Sequence, residues 1–131
     1  VVELDRGDEG GYDLLGAFIG SEGCFGVVVD LTVRLTPNPE QVITLLADFP
    51  TVASAADATS AIIAAGILPA ALELMDQATI RAVEASIYAA GYPVDAAAVL
   101  LVEVDGAAAG LTDDAAEIER LCSASGARGV R

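Results

Sequence analysis

The sequence predicts an α+β fold in two parts, the second a layer of strands covered by helices. Three observations carry that expectation. The chain has 131 residues, 54% of them hydrophobic and 20% charged, enough apolar content to build a core at domain size. Downstream of residue 39, β-branched runs alternate with alanine-rich amphipathic stretches, the pattern of a helix-covered sheet. Between them, Thr36-Pro37-Asn38-Pro39-Glu40 places two prolines in five residues. That interrupts regular hydrogen bonding and marks a boundary between residues 1–36 and 37–131.

The elements follow in order. Residues 1–4 read as a short strand running into an acidic turn. Leu14, Leu15, Phe18 and Ile19 are spaced for about two helical turns, with Asp13 as N-cap. Residues 27–35, VVVDLTVRL, are β-branched and partly alternating, so a strand is expected with Val29, Leu31, Val33 and Leu35 on one face.

Past the prolines, residues 42–49 read as a strand. Pro50-Thr51 opens a helix over 52–65, closed by Gly66, with Val52, Ala56, Thr59 and Ile63 along one side. Residues 69–75 form the second strand of the pattern. Asp76 caps a helix carrying Ile80, Val83, Glu84 and Ile87 and ending before Gly91. Residues 97–104 give a third strand. Thr112 caps a last helix, with Asp113 and Asp114 in a first turn whose dipole favours acid. Its buried stripe is Ile118, Leu121 and Cys122, and Gly126 ends it.

The resulting β-α-β-α-β-α order favours an antiparallel sheet with helices on one face over a parallel one. A split βαβ, ferredoxin-like layer is one such arrangement. Three strands are legible, and a fourth is expected from outside the chain.

Composition excludes some functions. Six basic residues against twenty acidic ones, a net charge of −14, cannot neutralise a phosphate backbone or dock on an anionic membrane. The bland reading of that charge is an acidic, solvated surface. No apolar run reaches the ~20 residues of a membrane span, and no signal-peptide pattern appears. The chain starts at Val1 rather than Met, which reads as a processed product or an excised piece.

Cys24 and Cys122 have no metal-ligand spacing and read as reduced thiols of a cytoplasmic protein. Histidine is absent, which removes the usual general base and the commonest metal ligand. No catalytic residue and no metal ligand is assigned.

One stretch carries chemistry. Gly20-Ser21-Glu22-Gly23-Cys24-Phe25-Gly26 sets glycine at every third position between a helix and a strand. Such a loop can expose peptide N–H groups as a concave anion site, with Ser21 adding a hydroxyl, and a diphosphate suits it. It is not a dinucleotide fingerprint, which runs strand, loop, helix, nor a P-loop, which needs Gly-Lys-Ser/Thr. On spacing alone, the plainer account is an ordinary tight connection. Glu22 beside a diphosphate is unfavourable unless it faces away, so its expected role is to accept backbone N–H bonds and brace the loop.

Taken together, Gly11-Tyr12-Asp13-Leu14, Phe18-Ile19-Gly20-Ser21-Glu22-Gly23-Cys24-Phe25-Gly26-Val27-Val28, Arg34-Leu35-Thr36-Pro37-Asn38-Pro39 and Pro69-Ala70-Ala71-Leu72-Glu73-Leu74-Met75-Asp76 resemble FAD-linked oxidases of the vanillyl-alcohol oxidase type, in the glycolate oxidase and D-lactate dehydrogenase branch. Cys24 stands where threonine is usual, Phe25 where leucine is usual, and the segment before Tyr12 is short and acidic.

The resemblance implies that residues 1–36 end a flavin-binding domain and residues 37–131 begin a ferredoxin-like cap or substrate domain. It implies FAD held largely by backbone along Gly20, Ser21, Glu22, Gly23, Cys24, Phe25, Gly26, Val27 and Val28. It also implies oxidation of a small 2-hydroxy acid, with hydride passing to the flavin. The chain would then be an internal fragment, inactive alone.

The competing reading is a non-catalytic ferredoxin-like binding or oligomerisation module, whose open strand edge pairs with a second copy.

Other residues have plainer accounts. Glu73, Glu103 and Asp105 suit the solvent side of alternating strands. Tyr12 suits a buried tyrosine with a satisfied hydroxyl, Cys122 the core, and Arg34 either a phosphate or a surface ion pair. Cys24, with no cation near in sequence, is expected to be inert.

Overall fold

A computed structural model describes Leu4 and residues 11–131. The strand expected over residues 1–4 lies, apart from Leu4, outside the described residues. The chain divides into two compact units, residues 1–36 and 37–131.

In the first unit, α1 (Leu14–Phe18) starts at Asp13, whose Oδ1 accepts the Gly16 N–H at 2.7 Å. It buries none of its residues completely. Residues 27–35 correct an expectation, for no strand forms there. The chain is irregular, and Val27, Val29, Leu31, Val33 and Leu35 stay exposed. A strand is completed by ladder bonds to a neighbour, and none of the described residues supplies one.

The second unit contains β1 (Gln41–Phe49), α2 (Val52–Ala64), β2 (Ala71–Asp76), α3 (Gln77–Glu84), β3 (Ala98–Gly106), α4 (Ala108–Ala124) and β4 (Gly129–Val130). The sheet order is β2-β3-β1-β4, with every neighbouring pair antiparallel. This is the ferredoxin-like split βαβ arrangement, with α3 added between β2 and β3.

The fourth strand therefore comes from this chain, not from outside it. Two residues are too short for any periodic signal. Tertiary bonds fasten them instead. Arg128 N donates to Asp48 O at 2.8 Å, and the Arg131 N–H donates to Leu46 O at 3.0 Å. The Arg128 guanidinium spans Asp48 Oδ2 at 2.7 Å and Asp95 Oδ2 at 2.9 Å.

The main core lies between the sheet and the helices α2 and α4. Ile43, Leu45, Ala47 and Phe49 of β1 meet Ala98, Leu100, Val102 and Val104 of β3 under Ala55, Ala58, Ile62, Ile118 and Cys122. A smaller cluster joins Ile80 of α3 to Ala96, Val99, Leu46 and Met75. By strand alternation, Val99 and Leu46 point away from the main core, so α3 lies on the opposite face.

Three helix details differ from the sequence pattern. First, α2 buries Ala55, Ala58 and Ile62, whereas Val52 and Ile63, from the stripe singled out in the sequence, are each 47% exposed. Second, α3 ends at Glu84, leaving Ile87 91% exposed. Ser86 Oγ donates to Val83 O at 2.7 Å and accepts the Tyr88 N–H at 3.0 Å, which competes with further helix.

Third, Thr112 does not cap α4. The element begins at Ala108 after Ala107, with non-helical Ala109 and Gly110 inside it. Buried Leu111 follows that kink, so Thr112 lies within the helix. The expected N-cap Asp76 is present, accepting the Thr79 N–H at 2.8 Å.

Several carboxylates sit below their ordinary pKa. Asp76 is lowered by the Thr79 N–H, Glu84 by the Tyr92 and Ala90 N–H groups, Asp95 by Arg128 and Glu117 by Arg120. A depressed folded-state pKa gives stability that is present above the unfolded value and lost as pH falls through the folded one. Unfolded Asp and Glu titrate near ~4. Thermal stability of residues 37–131 is therefore expected to stay level down to about pH 5 as far as these groups govern it, and to fall progressively below about pH 4. Unfolding scans across that range check it, and a midpoint unchanged at pH 3 would refute it.

Candidate functional site

The glycine loop is built from two consecutive tight turns. Ile19 (φ −64, ψ 128) and Gly20 (φ 77) are the central pair of the first, closed by the Ser21 N–H donating to Phe18 O at 3.1 Å. That is type II geometry, which calls for glycine at its third position. Glu22 (φ 50) and Gly23 (φ 82) are the central pair of the second, closed by the Cys24 N–H donating to Ser21 O at 2.9 Å. Two successive positive φ values give the type I′ turn.

Ser21 is the pivot, its N–H spent in one turn and its carbonyl in the other. The N–H groups of Ser21 and Cys24 are thereby consumed. Those of Gly20, Glu22, Gly23, Phe25, Gly26, Val27 and Val28 donate to no acceptor among the described residues. A Cβ added at Gly20 or Gly23 would meet nothing within 4 Å, whereas one at Gly26 would meet the Phe18 ring at 3.4 Å. The first two glycines are thus required by backbone angle, and the space beside them is open. Unpaired donors beside open backbone form a surface onto which an anionic or polar ligand can settle.

The bracing role expected of Glu22 is not found. Its carboxylate accepts no hydrogen bond among the described residues, and it is the only non-glycine residue at positive φ among them. The type I′ turn uses both of its central residues for left-handed backbone, and the Glu22 side chain is exposed. Nothing in the spacing of the glycines signals this, and asparagine or aspartate, rather than glutamate, is the usual residue before glycine in a I′ turn.

Tyr12 is 96% exposed rather than buried, because so short a helical segment offers no core to receive it. The ion pairs among the described residues do not include Arg34. Glu73 and Asp105 are exposed on their strands, and half-buried Glu103 accepts from Thr44 Oγ1 at 3.3 Å. Among the described residues no three His, Cys, Asp or Glu side chains converge to hold a metal ion. No helix among the described residues is long and apolar enough to cross a membrane.

The two thiols are free and differ sharply. Cys122 is buried, and desolvation pushes its pKa up to about 11. Cys24 is exposed. A thiol reagent at pH 8 is expected to modify Cys24 at least about tenfold faster than Cys122, because burial and a raised pKa both hold Cys122 back. Mass mapping over time checks the order, and equal rates would contradict the placement of Cys122.

The comparisons with known proteins converge. The family model described as FAD linked oxidases, C-terminal domain, matches residues 38–131. The chain is 46% identical over 127 residues to the glycolate oxidase subunit GlcD of Escherichia coli (strain K12), covering 97% of this chain and 25% of that protein. It is 44% identical over 125 residues to the GlcD subunit of Bacillus subtilis (strain 168), covering 95% of this chain and 26% of that protein.

Against the mitochondrial D-lactate dehydrogenase [cytochrome] of Arabidopsis thaliana the identity is 41% over 78 residues, which is 60% of this chain and 14% of that one. The chain thus spans about a quarter of the length of the GlcD relatives it matches. Among solved structures, an alkyldihydroxyacetonephosphate synthase superposes with a TM-score of 0.60 at 14% identity, over 73% of this chain and 21% of that one. That likeness speaks to fold alone.

Proposed function

The chain belongs to the family of FAD linked oxidases through its C-terminal domain, and from that premise we propose that it forms part of an FAD-dependent oxidoreductase acting on a small 2-hydroxy acid such as glycolate or D-lactate. The observation that carries the reading is the 46% identity to a glycolate oxidase subunit along 97% of the chain. In this reading residues 1–36 complete a flavin-binding domain and residues 37–131 start the cap or substrate domain. A cytoplasmic location goes with it, supported by two unpaired thiols.

The residues present suit the cofactor. Gly20 and Gly23 leave their backbone unobstructed, and the neighbouring N–H groups have no described acceptor. The FAD-binding residues proposed are Gly20, Ser21, Glu22, Gly23, Cys24, Phe25, Gly26, Val27 and Val28. Ser21 contributes through its hydroxyl and Cys24 by holding the second turn closed, because their N–H groups are already paired. A flavin held there would supply the acceptor for the hydride of the acid's carbinol carbon, the hydroxyl proton being lost to a base outside these residues. The chain's own part is to present preset donors, so that little backbone ordering remains on binding.

Reconstitution of the complete polypeptide with FAD tests the reading. A yellow protein whose flavin is bleached by a 2-hydroxy acid under anaerobic conditions is expected, with Cys24 protected from alkylation by the bound cofactor. A polypeptide that stays colourless after reconstitution would sink the reading.

A further inference from the structure

Glu22 is placed at a cost that the described residues do not repay. A non-glycine residue held in the left-handed region is strained, and type I′ turns favour glycine, asparagine or aspartate there. Here the position holds glutamate at φ 50, exposed, with no described partner for its carboxylate. Backbone strain kept without a local reason points to a task for the side chain.

The chemistry narrows that task. A carboxylate in a chain of net charge −14 does not approach a diphosphate, but it readily accepts hydrogen bonds from alcohols. The turn keeps the backbone N–H groups of Glu22 and Gly23 unpaired beside it, so donors for an anion and an acceptor for hydroxyls are juxtaposed. A cofactor carrying a diphosphate and vicinal hydroxyls has both complements.

Resting on the reading above, we propose that Glu22 is a cofactor-recognition residue whose carboxylate accepts hydrogen bonds from the hydroxyl groups of the flavin's polyol, either the ribityl chain or the adenosine ribose. Its left-handed turn is retained because that geometry delivers the carboxylate.

The test separates this from a merely structural role, because the two predict opposite pairings of stability and affinity. In the complete polypeptide, Glu22→Gly and Glu22→Asn are expected to leave the melting temperature of the apoprotein unchanged or raised, since both residues suit the turn. FAD affinity, from titration of flavin fluorescence, is expected to fall at least about tenfold, the usual loss for one charge-assisted hydrogen bond. Glu22→Gln, which keeps length and an acceptor oxygen, is expected to fall between.

Repeating the titration with FMN locates the hydroxyls. A matching loss with FMN assigns the ribityl chain, and a loss confined to FAD assigns the ribose. Variants that bind FAD as tightly as the parent, whatever their melting temperature, would overturn the inference and leave the flavoenzyme reading standing. A parent that binds no flavin at all overturns both.

Discussion

Ile62→Ala is expected to destabilise residues 37–131 by about 2–5 kcal/mol, while the same truncation one residue later, Ile63→Ala, costs less than about 1 kcal/mol. Ile62 is fully buried within the cluster formed by α2, α4, β1 and β3, and Ile63 is 47% exposed. Removing three buried carbons loses their transfer free energy and leaves a cavity that rigid neighbours fill poorly. For a unit of this size the first change lowers the melting temperature on the order of 10 °C or more. Paired thermal unfolding of the two variants is the measurement. Equal effects, or a larger one from Ile63, would show that α2 is rotated from the orientation described.

Gly23→Val in the complete polypeptide is expected to reduce FAD affinity by at least about tenfold. The residue stands at φ 82, a conformation that a β-branched side chain adopts only with strain of order 1–3 kcal/mol. Its added atoms would also project into the open space beside the loop. Gly66→Val is the control. Gly66 has nearly the same backbone angle, φ 83, but ends α2 in the other unit. The control should lose stability and keep its flavin affinity once folded. If both variants bound FAD like the parent, the glycine loop would not be part of the cofactor site.

Much of the fold was legible along the chain. Apolar runs marked β1, β2 and β3, of which only β1 and β3 are β-branched, and Asp76 announced α3. Local chemistry suffices for such features because each signal and its consequence lie within a few residues. The glycine spacing likewise located the two turns, since positive φ is a property of the single residue.

What only the tertiary structure decided depends on partners distant in sequence. Which stripe of α2 faces inward was settled by its packing against β1, β3 and α4, which the helix does not carry alone. β4 exists because Asp48 and Leu46, some eighty residues upstream, hold Arg128 and Arg131 in register. Residues 27–35 have the composition of a strand yet form none, because pairing needs a second chain segment that the described residues do not offer. Glu22, expected to brace its loop, accepts no bond from it among the described residues, its backbone held at φ 50 in the second turn. Propensity and pattern set what each segment can become, while burial and hydrogen-bond partners choose among the options.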